Sequence, residues 1–485
     1  MIVNEISLTK VFTYNNSVYN IGEKFNSLER KSSKINSEYK TKAVTGAKLM
    51  MVGLLCHHKS INELIVTAHN KHTSFANLFG KREYIPKMHG FRDCIINTDY
   101  KQIEKINYSV IEKAKENKIF TKNRVDDLTV IAHDGVEMTE TNKNINNLPE
   151  REHQNGEIKK YIKYLCTMNI GPKANIIISS KQLTEREKVV TESGKKKAKT
   201  VGETTALLEM LPTLDKMIGR SVDVNVMDAL FLNVKVMTAI KERNQYFVIR
   251  MEDDTKNIYK DAEGLFKNRK SDESYEIVEI TKEIDIKYSK AAKKKDKTKI
   301  KKKTEKRPIT DNKINDRRFI NEEKSIRKNS VRITKTYEKV IRKIEVWDET
   351  GFTYSTYDGE LRVIRSVEKY WNGNKEVTQE IYIVTNMLYH QRSTIIKIMH
   401  LRWHIENCGF RKIKQQFNFE HIFIGELNAI NYVFQMMILV NNLLELYLKI
   451  RLKESINLTY VMIGKIFEKE IQNTKDIGNI LLGIP

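Results

Sequence analysis

Proline is scarce in this 485-residue chain, with only 6, which argues against long extended linkers. Cysteine is scarcer: Cys56, Cys94, Cys166 and Cys408 stand far apart with no Cys-x-x-Cys pair. A disulfide framework and a structural zinc site are thereby disfavoured, and the chain reads as reduced and cytoplasmic. Long apolar runs are missing too. Residues 49–56 fall far short of the ~20 needed to span a bilayer, and the longer stretch 432–450 carries Gln435, Asn441, Asn442 and Glu445. The opening Met1-Ile2-Val3-Asn4-Glu5 has neither the basic stretch nor the apolar core of a secretion signal. Acidic residues are outnumbered by basic ones, 62 against 85, for a net charge of +23 and a pI near 9.5. Such an excess points to a polyanionic partner, and without an anchor the membrane surface is the weaker choice.

What is present is enough for real cores: hydrophobic residues make up 40% of the chain, and the length suits two or three domains. Residues 1–120 read as helical. Apolar residues recur at three- and four-residue spacing over 42–56 and 60–79, Ser60 and Glu63 form a capping-box pattern, and a further helix is expected over 99–117. The segment 84–93 breaks the pattern. Lys71, Lys81, Arg82, Lys87 and Arg92 make this a candidate DNA-binding domain, although basic residues on solvated helices are common.

From residue 121 the texture changes to short β-rich runs over 128–133, 161–170 and 174–179. A helix after Gly202-Glu203, a fourth run over 222–227, a helix over 231–243 and a fifth run over 245–251 follow. Three strands, a helix, a strand, a helix and a strand is the order of an RNase H-like α/β core with a mixed sheet. Residues 187–200 read as an exposed loop. Residues 252–385 interrupt the core, first as polar loop and then as a basic, β-rich insertion with strands over 343–347, 361–370 and 376–384. Between 287 and 343 there are 23 Lys and Arg against 7 Asp and Glu, a net of +16 and most of the chain's excess. Its part over 293–307 is of low complexity and expected to be mobile. The second part of the core spans 386–455, with a second apolar helix over 429–449, and a tail runs over 456–485.

The stretch 399–417 holds the first sharp clue. Helical spacing puts Arg402, Glu406 and Phe410 on one face. An Arg and a Glu four residues apart are commonly an exposed ion pair worth about 0.3–0.5 kcal/mol. The alternative is that Glu406 completes a carboxylate set. Asp134 follows the first strand of the core and Asp228 the fourth, and in a sheet of this order those strands are neighbours. Three such oxygen ligands suit two Mg²⁺ ions, with Mn²⁺ as a substitute, clamping the attacking and leaving oxygens of phosphoryl transfer.

Three blocks make the resemblance specific: Val130-Ile131-Ala132-His133-Asp134-Gly135, Val224-Asn225-Val226-Met227-Asp228-Ala229-Leu230 and Leu401-Arg402-Trp403-His404-Ile405-Glu406-Asn407. Gly202-Glu203 before a helix is a weaker fourth. In these blocks the chain resembles a DDE transposase of the IS4 type, an RNase H-like catalytic domain split by a β-rich insertion. The resemblance implies cleavage of transposon ends and strand transfer into target DNA, with Asp134, Asp228 and Glu406 as catalytic metal ligands. It further implies terminal inverted repeats as substrate, a homodimer on paired ends, no membrane, and a place at the nucleoid. The family's signature tyrosine and lysine positions are here Met399 and Ile413. Lys412 and Lys414 flank the latter, and Lys414 is the chosen DNA contact. Arg402 is suited to clamp a phosphate. Trp347 in the insertion can pack or stack on an unpaired base, the latter worth about 1–3 kcal/mol. Two other readings compete: a DNA-binding protein that has lost catalysis, and a metal-dependent nuclease without strand transfer.

Overall fold

The structure is a computed structural model that describes residues 6–31, 41–70, 75, 85–190, 196–252, 256–288, 296–308, 319–320, 326–328, 331–372, 375–452 and 460–473. It divides into two compact units, one of residues 1–227, 400–456 and 460–485, the other of residues 228–399 and 457–459.

The first unit is built on strands β1 (Val130–Thr141), β2 (Glu150–Glu152), β3 (Ile158–Ile170) and β4 (Ile176–Gln182), followed by β5 (Glu185–Val190), β6 (Lys196–Thr200) and β7 (Val224–Met227). The order β4–β3–β1–β7 is antiparallel except for the last step. There β7 runs parallel to β1, with Val130 opposite Val224 and Ala132 opposite Val226. A parallel neighbour needs a crossover, and the Glu203–Met217 helix lies on that connection. Val130, Ile131, Ile176, Ile177, Ile178, Val224 and Val226 are all buried, so these strands are covered on both faces and read as apolar, β-branched runs. This is the mixed α/β arrangement of an RNase H-like core.

Three expectations change here. β1 does not stop at residue 133 but continues to Thr141, because β3 supplies a partner along its length. A register shift between Glu137 and Thr139 marks a bulge in its far half. Residues 185–190 and 196–200 form the antiparallel β5–β6 hairpin rather than a loop, with 191–195 outside the described residues. The expected break at 84–93 contains the helix Met88–Asn97. Pro86 lies just ahead of that helix, and Gly90 is there for contact, since a Cβ would come 3.1 Å from Thr41 Oγ1.

The helices Ala43–Leu55, Met88–Asn97 and Tyr100–Glu116 pack against the Leu427–Glu445 helix within this unit, so residues 1–120 and the core strands form one body. Leu427–Arg451 is long and apolar enough to cross a membrane, yet it is almost wholly buried inside the protein. Its polar residues explain why. Asn442 Oδ1 accepts from Ile177 N at 2.9 Å and its Nδ2 donates to Ile177 O at 2.7 Å, while Tyr164 Oη donates to Asn431 Oδ1 at 2.8 Å. These amides tie a core helix to β3 and β4. Of the basic N-terminal residues, Lys87 and Arg92 are exposed, and Lys71, Lys81 and Arg82 lie outside the described residues. The tail contributes the helix Tyr460–Asn473 to this unit.

The second unit is an antiparallel sheet of β8 (Tyr246–Met251), β9 (Glu273–Tyr288), β10 (Asp296–Pro308), β13 (Val331–Phe352), β14 (Leu361–Asn372) and β15 (Lys375–Thr385). Short strands β11 (Phe319–Ile320) and β12 (Ile326–Lys328) pair with β13. The order is β8–β15–β14–β13–β9–β10, and the three strands expected in the insertion lie inside β13, β14 and β15. Within 252–272, read as polar loop, the helix Asn257–Phe266 forms, since Ile258, Ala262 and Phe266 recur every four residues and are buried. The low-complexity stretch 293–307 is largely β10, with 293–295 outside the described residues.

Candidate active site

Asp134 lies in the interior of β1, only 9% exposed, and its Oδ1 accepts from Gly135 N at 2.8 Å. Opposite it, the stretch 399–417 is not one regular helix. The Arg392–His404 helix passes into a π-helical segment, Ile405–Phe410, and then into the Arg411–Phe417 helix. Single π turns inside helices recur at functional sites. This one presents Glu406, whose side chain is 38% exposed. Gly409 lets the segment settle on β3, since a Cβ would stand 3.0 Å from Met168 Sδ.

Arg402 joins the two acids. Its guanidinium is almost wholly buried, with Nη1 at 3.4 Å from Asp134 Oδ2 and 3.2 Å from Glu406 Oε1. Its Cζ lies 4.5 Å from the centre of the Trp403 ring, and its Nε is buried without a hydrogen-bond partner among the described residues. The Arg402–Glu406 pair expected from helical spacing therefore exists, but as part of a three-residue cluster rather than an exposed pair. Asp134 and Glu406 open on a cleft of about 640 Å³, lined also by Glu137, Asn407, Arg411 and Lys414.

Two further sets of side chains hold this stretch of β1. His133, pointing away from Asp134 as strand alternation requires, is fully buried. Its Nδ1 is 2.8 Å from Thr167 Oγ1 on β3 and its Nε2 is 2.9 Å from Asn225 Oδ1 on β7. Burial lowers its pKa to about 4, so the ring is neutral at pH 7 and pins three strands together. Glu203, at the start of its helix and 8% exposed, pairs with Lys163 Nζ at 2.6 Å. A Cβ at position 135 would come within 2.5 Å of Glu203 Cδ, so the glycine after Asp134 is a packing requirement. Strand alternation at His133, Gly202-Glu203 and the glycine following Asp134 are the sequence signals of this packing.

The remaining predicted residues are distributed differently. Asp228 belongs to the second unit, where it caps the short turn Ala229–Phe231 by accepting from Leu230 N at 3.1 Å and remains half-buried. Trp347 is 9% exposed, its indole N–H donates to Arg269 O at 2.7 Å, and the Arg365 guanidinium lies 4.4 Å over its ring. A base could stack there only by displacing Arg365. Lys412 is paired with Glu445, which is fully buried and also accepts from Tyr460 Oη. Burial raises a carboxyl pKa, but here Lys412 outweighs it and holds Glu445 below its usual range. Lys412 thus neutralises the interior, whereas Lys414 lines the cleft and pairs loosely with Glu420 at 3.3 Å.

As ligands, Asp134 and Glu406 offer the hard carboxylate oxygens that Mg²⁺ prefers, and the cleft gives them room. Among the described residues no group of three His, Cys, Asp or Glu is gathered as a metal cage. The pair fits a divalent cation in its donor chemistry, with Arg402 at present engaging one oxygen of each.

The α/β core thus carries acids on a central strand and on a π-distorted helix that open on one cleft. The chain matches the transposase DDE domain family over residues 171–443, more than half its length, and belongs to that family. The match takes in Asp228, Arg402 and Glu406 and begins after Asp134. No curated protein matches the chain. The protein is a DDE transposase, an enzyme of the polynucleotidyl transferase and nuclease type whose partner is DNA.

Proposed function

We propose that the protein is a transposase of the IS4 type that cleaves DNA at the ends of its element and joins those ends to target DNA, with Asp134, Asp228 and Glu406 as ligands of two Mg²⁺ ions. The observation that carries this reading is the convergence of Asp134 and Glu406, 272 positions apart by their numbers, on one cleft. Asp228 enters the proposal from its place in the sequence. The parallel β1–β7 ladder includes Ala132 and Val226, and Asp134 and Asp228 each follow two residues later in the chain.

In this reading, bound Mg²⁺ supplies charge to activate a hydroxyl nucleophile and to stabilise the leaving 3′ oxygen. The protein's own contribution is placement. The His133–Thr167–Asn225 bridge fixes β1, the π segment turns Glu406 towards the cleft, and Lys414 and Arg411 give the cleft wall positive charge for the DNA backbone. The basic segment 287–343 adds sequence-independent, salt-sensitive phosphate contacts. Action on paired ends calls for a homodimer, and the site of action is the nucleoid.

The test is an assay with labelled transposon ends, a supercoiled target and Mg²⁺. Cleavage followed by joining supports the proposal; cleavage without joining under any condition would make the protein a nuclease. If Glu406→Gln cleaves as well as the parent, the assignment of Glu406 fails.

A further inference from the structure

Arg402 occupies the place where the two acids of the first unit meet. Its Nη1 is within 3.4 Å of Asp134 Oδ2 and 3.2 Å of Glu406 Oε1, the residue is 3% exposed, and its Nε has no hydrogen-bond partner among the described residues. Each feature has a physical consequence. A guanidinium does not deprotonate at physiological pH, so its charge leaves the site only if the group moves. Charge-assisted N–H···O contacts are ordinarily about 2.7–2.9 Å, so both bonds are long. A buried donor without a partner is a standing cost, which favours any state that satisfies it. Two carboxylates facing one guanidinium leave a net charge of −1, where two free carboxylates would offer −2 to a divalent cation.

Resting on the assignment of Asp134 and Glu406 as metal ligands, we propose that Arg402 is a positioning residue that occupies their shared corner and holds off divalent cations until a DNA phosphate draws it away. A phosphate is the ligand whose two oxygens best satisfy the planar fork of an arginine. It would take up the unpartnered Nε–H together with an Nη–H. Removing the guanidinium from between the acids raises their affinity for the cation, so cation uptake depends on DNA. The arrangement keeps the acids paired and half neutralised when no substrate is present. Cleavage chemistry at the wrong time is thereby suppressed.

The test uses the full-length protein and Mn²⁺ alone, with free Mn²⁺ followed by electron paramagnetic resonance and no DNA present. Arg402→Gln, which removes the charge but keeps hydrogen-bonding atoms, is expected to bind Mn²⁺ on the order of tenfold more tightly than the parent, since one cation within 4 Å of both acids is gone. Arg402→Lys, which retains a charge, is expected to stay close to the parent. Loss of folding cannot mimic a gain in affinity. Equal or weaker binding by Arg402→Gln overturns the proposal, as does an equal gain in Arg402→Lys. Adding Glu406→Gln to Arg402→Gln separates the two levels of the argument. Loss of the gained affinity supports both, whereas an unchanged affinity shows that the cation is not held by Glu406 and removes the assignment on which the proposal rests.

Discussion

Two buried arginines, one in each unit, are held in opposite ways. In the second unit Arg362 is saturated. Its Nε and Nη2 donate to Asp348 Oδ1 and Oδ2 at 2.7 and 2.5 Å, and its Nη1 donates to the carbonyls of Met387, Leu388 and His390 at 3.0, 3.2 and 2.6 Å. Arg392 adds a further contact to the same carboxylate at 3.4 Å. In the first unit Arg402 serves two carboxylates with one nitrogen, at longer distances, and leaves Nε without a partner. Both are almost fully out of solvent. The saturated pair closes the turn that opens the Arg392–His404 helix and has nothing left to give a ligand. The under-satisfied one sits behind two acids that line a cleft and retains unused hydrogen-bonding capacity. Burial of a charge alone does not mark a functional site.

The largest effect belongs to the acids beside Arg402. Glu406→Gln, isosteric but without charge, is expected to lower strand cleavage by at least about 10⁴-fold, roughly 5 kcal/mol of barrier, while the melting temperature of the apo protein stays near that of the parent. Cleavage assays paired with thermal melts check this. A fall in stability as large as the fall in activity would place Glu406 with the structural pairs.

Next comes the reverse case. Arg362→Ala leaves buried Asp348 with only the longer contact to Arg392 and strips three carbonyls of their donor, a loss expected to cost about 3–5 kcal/mol of stability. Replacing both partners with apolar residues, Arg362→Met with Asp348→Leu, is expected to recover a large part of it, because the pair's worth lies mainly in mutual neutralisation. Denaturant unfolding of the single and double variants measures the difference. A double variant as unstable as the single would mean that the carbonyl contacts dominate.

The sequence made the frame around Arg402 legible and left its function hidden. Runs such as Ile176-Ile177-Ile178 and Val224-Asn225-Val226 read as strands because burial on both faces demands apolar, β-branched residues. The same reasoning lost β9 and β10, where charged residues dominate and the basic run from 287 onward looked like solvated coil. The Met88–Asn97 helix was lost because Pro86 and Gly90 look like breakers, when one precedes the helix and the other makes room for Thr41. Within 399–417, spacing alone suggested a continuous helix. The π turn over Ile405–Phe410 and the close approach of Gly409 to Met168 are tertiary features that no local pattern encodes. Likewise the i, i+4 relation of Arg402 and Glu406 was visible, whereas the bond to Asp134 is a tertiary fact. Lys412 and Lys414 looked alike in sequence, and only burial of Glu445 separates their roles.

A smaller effect tests how tightly the floor of the site is built. Gly135→Ala places a methyl group against the Glu203 carboxylate, itself held by Lys163. Overpacking of this kind is expected to cost about 1–3 kcal/mol. Shortening the acid, as in Gly135→Ala with Glu203→Asp, is expected to restore part of the loss if the clash is local. A double-mutant cycle on unfolding free energies reads that coupling directly. Additive losses would mean that β1 shifts as a whole and that Glu203 is not the obstacle.

The smallest effect separates the two neighbouring lysines. Lys414 is partly exposed on the cleft and its bond to Glu420 is a surface pair, so Lys414→Ala is expected to leave stability within about 0.5 kcal/mol of the parent. Its consequence is in DNA binding: affinity should fall uniformly across sequences, and the slope of log affinity against log salt should shrink by about one. Lys412→Ala is the internal control, because it exposes no phosphate contact but strips a buried carboxylate of its cation. It is expected to lower stability and leave the salt slope unchanged. Should Lys412→Ala flatten the salt dependence while Lys414→Ala does not, the DNA backbone runs along the side of the Arg411–Phe417 helix away from the cleft, and the division between saturated and available charges fails at its most exposed point.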